Sequence, residues 1–331
     1  MQDRDVKTVL VTGANGFIGA RLCALLAASG YTVRILCRET SDLSLLTDIP
    51  YTRIIGDITR PETLPPAVSG ADYIIHLAGL IKAKNAAAFF RVNQHGTLTL
   101  LNAVKNHNLT LTKFVMVSSV AASGPASKTP RKEDDTPQPL TTYGRSKLAG
   151  EEALGSFYGL FPITVIRPPA VYGPGDKAIY SLFKIVGRGI RPYMAGGRNL
   201  VQMVYVDDLV RAIKTAMESE SSSGQTYFIA DAQAHSVREM IDVMSGLLGK
   251  KGIGVPIPIW LLMTIAFVSE TMSRLMGNPP LFSRDKVKEL TADWKLDVSK
   301  ARRQLGFDAA VDFERGAAMT VSWYRQKGWL K

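Results

Sequence analysis

Short runs of apolar, often β-branched residues recur through the first half of the chain, at 8–11, 33–37, 53–55, 73–77, 114–117 and 163–166. They read as strands, and because several lack polar alternation, both faces of their sheet are expected to be covered. Between the first two, Ile18, Leu22, Leu25 and Leu26 follow helical spacing until Gly30 stops the run, making a strand–helix–strand unit. Repetition of that pattern predicts an α/β chain with a doubly wound parallel sheet. After Pro168 the pattern loosens: Gly173-Pro174-Gly175, Gly196-Gly197 and the prolines between 256 and 280 punctuate a less regular region. Two further strand-like runs, 203–206 and 227–229, fall inside it, so a smaller C-terminal part is expected to interleave with the sheet. The boundaries drawn from this are 1–170 plus 201–232 for the sheet domain, and 171–200 plus 233–331 for the smaller part.

The run Thr12-Gly13-Ala14-Asn15-Gly16-Phe17-Ile18-Gly19 joins the first strand to the first helix. Glycines there permit a tight turn, close approach of a pyrophosphate and packing of helix on strand, while the helix N-terminus offers N–H groups. The spacing is G-x-x-G-x-x-G rather than G-x-G-x-x-G, and three glycines alone also suit a purely structural turn. Between a strand and a helix they indicate a Rossmann-type dinucleotide-binding domain, with Gly13, Asn15, Gly16, Phe17, Ile18 and Gly19 around the phosphates. The second strand ends Leu36-Cys37-Arg38. Cys37 stands where an NAD site carries a ribose-binding acid, and Arg38 offers a cation to a 2′-phosphate. NADP(H) is therefore favoured; NAD(H) stays open, with Arg38 then a solvated surface residue. Asp57, after the third strand, is assigned to the adenine amino group, and Ile58 to the same cofactor end.

Tyr143-Gly144-Arg145-Ser146-Lys147 sets a phenol and an ammonium one helical turn apart. A phenol titrates near pH 10 when unperturbed, and a neighbouring ammonium together with an oxidised nicotinamide would favour the phenolate, which suits Tyr143 to shuttle a proton. The strand 114–117 ends in Ser118-Ser119. Parallel sheets place ligands at the C-terminal ends of their strands, so a hydroxyl there can hold a substrate carbonyl beside Tyr143.

With these residues the sequence resembles the extended short-chain dehydrogenase/reductase family, of NAD-dependent epimerase/dehydratase and 3β-hydroxysteroid dehydrogenase or dihydroflavonol reductase type. The likeness spans nearly the whole chain through the glycine loop, Gly56-Asp57, His76-Leu77-Ala78-Gly79, Val92 to Thr97, Ser118-Ser119, Tyr143 and Lys147, Arg167 to Asp176, and Tyr205-Val206-Asp207-Asp208. It implies that Ser119 is the catalytic hydroxyl, Tyr143 the proton donor, and Lys147 a catalytic cation that also holds the nicotinamide ribose. It further implies that Leu77, Ala78, Gly79 and Val117 line the cofactor, that Pro168 and Pro169 lie near the nicotinamide, and that a homodimer forms through helices beside Tyr143. His76 stands alone at a strand end, so no metal is expected. Asn93 has two readings, a residue that positions water near Lys147 and a plain helix-surface amide.

The family divides into nucleotide-sugar epimerases or dehydratases and oxidoreductases of apolar carbonyl compounds. Nucleotide-sugar members usually carry an Asn where this chain has Ala170 and an Arg where it has Val201. Loss of a charge-assisted diphosphate contact argues against a nucleotide sugar. The favoured reading is a Ser-Tyr-Lys oxidoreductase of a bulky, apolar ketone or alcohol; the alternatives are an epimerase and a non-catalytic dinucleotide-sensing scaffold.

Composition changes this picture in three places. The net charge of +11 comes from Lys and Arg scattered through every segment, without the basic and aromatic stripe of a nucleic-acid site, so no nucleic-acid partner is expected. Cys23 and Cys37, outside any ligand-spaced motif, read as core thiols of a cytoplasmic protein, and the polar run 1–5 is unlike a secretory signal. The apolar stretch 253–268 is too short for the roughly 20 residues of a membrane span. It is expected to be a buried helix over the substrate pocket, with a peripheral membrane-touching surface as the alternative.

Overall fold

The computed structural model describes residues 6–280 and 282–330; the run 1–5, whose polarity spoke against a signal sequence, lies outside them. Seven strands, β1 (Thr8–Thr12), β2 (Thr32–Cys37), β3 (Thr52–Ile55), β4 (Tyr73–His76), β5 (Lys113–Val117), β6 (Ile163–Arg167) and β7 (Thr226–Phe228), form one parallel sheet. Their order is β3-β2-β1-β4-β5-β6-β7, a Rossmann-like arrangement whose direction of winding reverses between β1 and β4. Each predicted strand is present to within a residue at either end.

Strand alternation sorts the core into two layers. Val9, Val11, Ile35, Ile75, Val115 and Ile166 pack with α1 (Phe17–Ala28), as shown by Leu22 and Leu26 in the same cluster. Leu10, Ile74, Phe114, Met116 and Val165 pack on the opposite face with Leu100, Leu101 and Val104 of α2 (Thr97–His107). On that side also runs α3 (Thr142–Glu152), with α4 (Val206–Glu218) beside α1. Cys23 and Cys37 are both buried free thiols, and burial pushes the Cys23 thiol up to about 12.

The rest of the chain gathers α5 (Val237–Leu247), α6 (Ile259–Met276), α7 (Arg284–Thr291) and α8 (Phe313–Gln326). Tyr172, Phe183, Tyr193, Ile241, Met244, Phe313 and Tyr324 make a separate core there. The predicted strand at 203–206 is Met203–Tyr205, paired with Ala170–Tyr172 outside the main sheet, whereas β7 crosses back to extend that sheet beyond β6.

The stretch 253–268 departs from expectation. Residues Ile253–Ile257 form a strand parallel to Ile190–Met194, and the following α6 continues well past Val268 to Met276. It is not a buried helix: of its eighteen residues only Leu262 and Ala266 are buried, because protein covers one narrow side, through Val287, Met194 and Ile257.

Candidate active site

The glycine loop is built by close backbone approach. Gly13 sits at φ +72, and a Cβ there would lie 2.7 Å from the Ala78 backbone nitrogen, while a Cβ on Gly19 would lie 2.2 Å from the Gly13 oxygen. Small residues thus bring the C-terminal ends of β1 and β4 together and seat α1 on them. The N-terminus of α1 has no side-chain cap and no acid in its first turn, which leaves its N–H groups and dipole to an anion. These features fit a dinucleotide pyrophosphate.

Behind the loop, His76 ties β4 to β1 and α2. The Thr97 hydroxyl donates to the Asn93 carbonyl at 2.8 Å, so its oxygen accepts from His76 Nε2 at 3.0 Å. His76 Nδ1 then accepts from the Thr12 hydroxyl at 2.7 Å, and that oxygen takes the Ala78 N–H at 3.2 Å. Burial holds the imidazole neutral, with its pKa lowered to about 3. With both nitrogens engaged, His76 is a strut.

Asn93 is not a surface amide. It lies in a π-helical turn, Arg91–Gly96, buried, with its amide accepting from Leu80 N–H at 2.7 Å and donating to the Leu80 carbonyl and the Ser146 hydroxyl at 3.0 and 2.9 Å. The π turn rotates the side chain inward. A Cβ on Gly150 would lie 2.4 Å from the Asn93 carbonyl oxygen, so α3 packs tightly against this turn.

Helix α3 begins at a Thr141 cap and carries Tyr143 and Lys147 toward the end of β5. Gly144 lets it approach the turn after β5: a Cβ there would lie 2.3 Å from the Ala121 oxygen. Lys147 Nζ donates to the Val117 carbonyl at 2.9 Å, and burial lowers its pKa to about 8 against the opposing pull of Glu151. Ser119 caps the short helix Val120–Ser123, and its hydroxyl stands near enough to the Tyr143 phenol to lower its pKa. Burial raises that phenol to about 12, with the Ser119 hydroxyl opposing and Glu289 adding to the rise. With no cofactor beside it, Tyr143 stands as a protonated acid. Pro168 and Pro169 are buried beyond β6, with the Pro168 carbonyl accepting from Val120 N–H at 3.0 Å.

Arg38 is exposed at the end of β2, and Asp57 Oδ1 accepts from the backbone N–H and hydroxyl of Thr59, both at 2.8 Å, next to buried Ile58.

An NAD dependent epimerase/dehydratase family model matches residues 9–230. The chain belongs to that family. It is therefore an NAD(P)-dependent enzyme of the extended short-chain dehydrogenase/reductase type. It is similar to a ceramide reductase of Caulobacter vibrioides, 29% identical over 97% of this chain and 96% of the relative. It also resembles an N-acetyl-α-D-glucosaminyl-diphospho-ditrans,octacis-undecaprenol 4-epimerase of Escherichia coli O157:H7, 26% identical over 95% of this chain and 94% of the relative. Among solved structures, the UDP-glucose 4-epimerase of Thermotoga maritima with UDP-glucose matches at a TM-score of 0.80 and 25% identity, over 97% of this chain and 99% of that one.

Three residues beside the candidate site carry no motif that marks them in the sequence. Phe89 lies with its ring centroid 6.1 Å from that of Tyr143. Arg53 on β3 donates to the Glu39 carbonyl at 3.0 Å, which sets a second guanidinium beside the Arg38 turn; the β2–β3 register, Ile35 opposite Arg53, is the signal that finds it. Asp285 on α7 accepts from the backbone N–H and hydroxyl of Thr142 at 2.8 and 3.1 Å.

Proposed function

We propose that the protein is an NADP(H)-dependent oxidoreductase that reduces the ketone of a bulky, apolar small molecule, or oxidises the alcohol, through Ser119, Tyr143 and Lys147. The observation that carries this reading is the surroundings of Tyr143: a protonated phenol beside the Ser119 hydroxyl and flanked by the apolar ring of Phe89. Exposed Ala170 and half-buried Val201 stand where nucleotide-sugar enzymes of the family usually present an amide and a cation. The ceramide reductase likeness supports the same reading.

The nicotinamide supplies or takes the hydride when bound. In reduction, Ser119 would donate a hydrogen bond to the substrate carbonyl oxygen and Tyr143 would give that oxygen its proton. Lys147, charged below pH about 8, favours the phenolate left behind. Gly13, Asn15, Gly16, Phe17, Ile18 and Gly19 would hold the pyrophosphate, with Leu77, Ala78, Gly79, Val117, Pro168 and Pro169 around the nicotinamide end. Asp57 and Ile58 would meet the adenine, and Arg38 with Arg53 the 2′-phosphate. The dinucleotide part would be 1–170 plus 201–232, and the substrate part the remainder. The free thiols suit a cytoplasmic site of action.

The likeness to the Thermotoga maritima epimerase favours a second reading, epimerisation of a sugar substrate, in which the cofactor is regenerated. A screen of apolar ketones and UDP-sugars, followed at the nicotinamide absorbance, separates them. Stoichiometric NADPH oxidation with an apolar ketone is the expected result. Sugar epimerisation with no net absorbance change would overturn it.

A further inference from the structure

Helix α6 turns an apolar face to solvent. Trp260, Phe267, Val268, Met272 and Leu275 recur at helical steps on the side away from buried Leu262 and Ala266. Trp260 is 68% exposed, Phe267 56% and Leu275 84%. Within this stripe the polar side chains, Thr264 and Thr271, return their hydroxyls to the carbonyls of Trp260 and Phe267, at 2.9 Å each, so neither depends on water. Glu270 is drawn aside to Arg284 at 2.9 Å.

A basic cluster lies one strand before the stripe. The strand leading into α6 pairs with Ile190–Met194 in the register Ile253 to Ile190. Around that shared end lie Lys184, Arg188, Lys250 and Lys251, all exposed and none in a salt bridge among the described residues. From Lys177 to Val206 the chain has five basic residues and no acid.

We propose that this face docks on a bilayer with anionic headgroups, α6 lying in the interface with Trp260, Phe267 and Leu275 in the acyl region and the lysines and Arg188 on the headgroups. An outward apolar stripe in one element with unpaired cations at the far end of the strand before it is the make-up of an interfacial surface, and Trp favours headgroup depth. The side held by Val287, Met194 and Ile257 keeps α6 in the plane and does not let it span. A second copy on the same face would bring like-charged margins together, whereas an anionic surface complements them.

Helix α7 connects this face to the active site, through Val287 against α6 and Asp285 at the start of α3. Docking would set the Tyr143 end of α3 near the bilayer, which suits a ketone retained there by a long alkyl or polyprenyl chain. That last step rests on the reductase reading; docking itself does not.

The test uses the full chain, sedimented with phosphatidylcholine vesicles with and without phosphatidylglycerol. Binding is expected with the anionic vesicles, and about tenfold or greater weakening in a Trp260→Ser/Phe267→Ser variant and in a Lys250→Glu/Lys251→Glu variant. Unchanged NADPH affinity in both variants shows that the loss is not unfolding, and because no substrate is present, failure of the reductase reading leaves the result intact. Absence of binding to anionic vesicles, equal binding by the variants, or a dimer in light scattering that Trp260→Ser/Phe267→Ser dissociates would overturn the proposal.

Discussion

Two groups of opposite kind, half-buried Tyr143 and buried Lys147, carry the proposed chemistry at the scale of single residues. Desolvation disfavours charge on each, raising the Tyr143 phenol to about 12 and lowering the Lys147 ammonium to about 8. Reduction needs both protonated, and below pH 8 both are. Above that value Lys147 discharges first while Tyr143 keeps its proton. Reductive kcat/KM should be flat below about pH 8 and fall toward tenfold per unit above it; initial rates across that range check this, and a flat profile to the end of the stable range would contradict it. On the proposed reading, Arg38 decides the cofactor. Arg38→Ala should weaken NADP(H) binding by about 1.5–3 kcal/mol and leave NAD(H) nearly unchanged, because only the former loses a charge-assisted contact. Titration with both cofactors reads this directly, and equal losses would remove Arg38 from the 2′-phosphate site.

Elements differ in how far they can be read before the fold is known. The seven strands are legible because local apolar runs and the turns between them carry the signal, and the glycine loop because its residue types are dictated by backbone approach. The π turn that points Asn93 inward is not, since it depends on α3 packing through Gly150. Helix α6 is misread for a related reason: apolar sequence states that a face avoids water, not whether protein covers it. Asp285 belongs to this class too, lying 143 residues from the backbone it caps. Its carboxylate satisfies an N–H in the first turn of α3 and complements the helix dipole. Asp285→Ala should cost about 1 kcal/mol in urea unfolding and lower kcat more than it weakens NADPH binding, with Asp285→Asn recovering much of both. A variant indistinguishable from the parent would show that α7 does not position the catalytic helix.

Across the whole molecule, the parallel sheet aims the C-terminal ends of β1 to β6 at one edge, and the residues assigned to cofactor or catalysis, Arg53 apart, come from that edge or from α1 and α3. The smaller part brings α7 to α3 and leaves α6 outward. The central claim is that Tyr143 supplies the proton for net hydride transfer at this edge. Its most direct test is single-turnover NADPH oxidation, with a ketone identified by the screen, in Tyr143→Phe, which keeps the ring against Phe89 and removes only the transferable proton. Turnover should fall by about 10²–10⁴-fold with NADPH affinity unchanged, and Ser119→Ala should lose less because the donor remains. Near-normal turnover in Tyr143→Phe, or a larger loss in Ser119→Ala, would contradict the assignment.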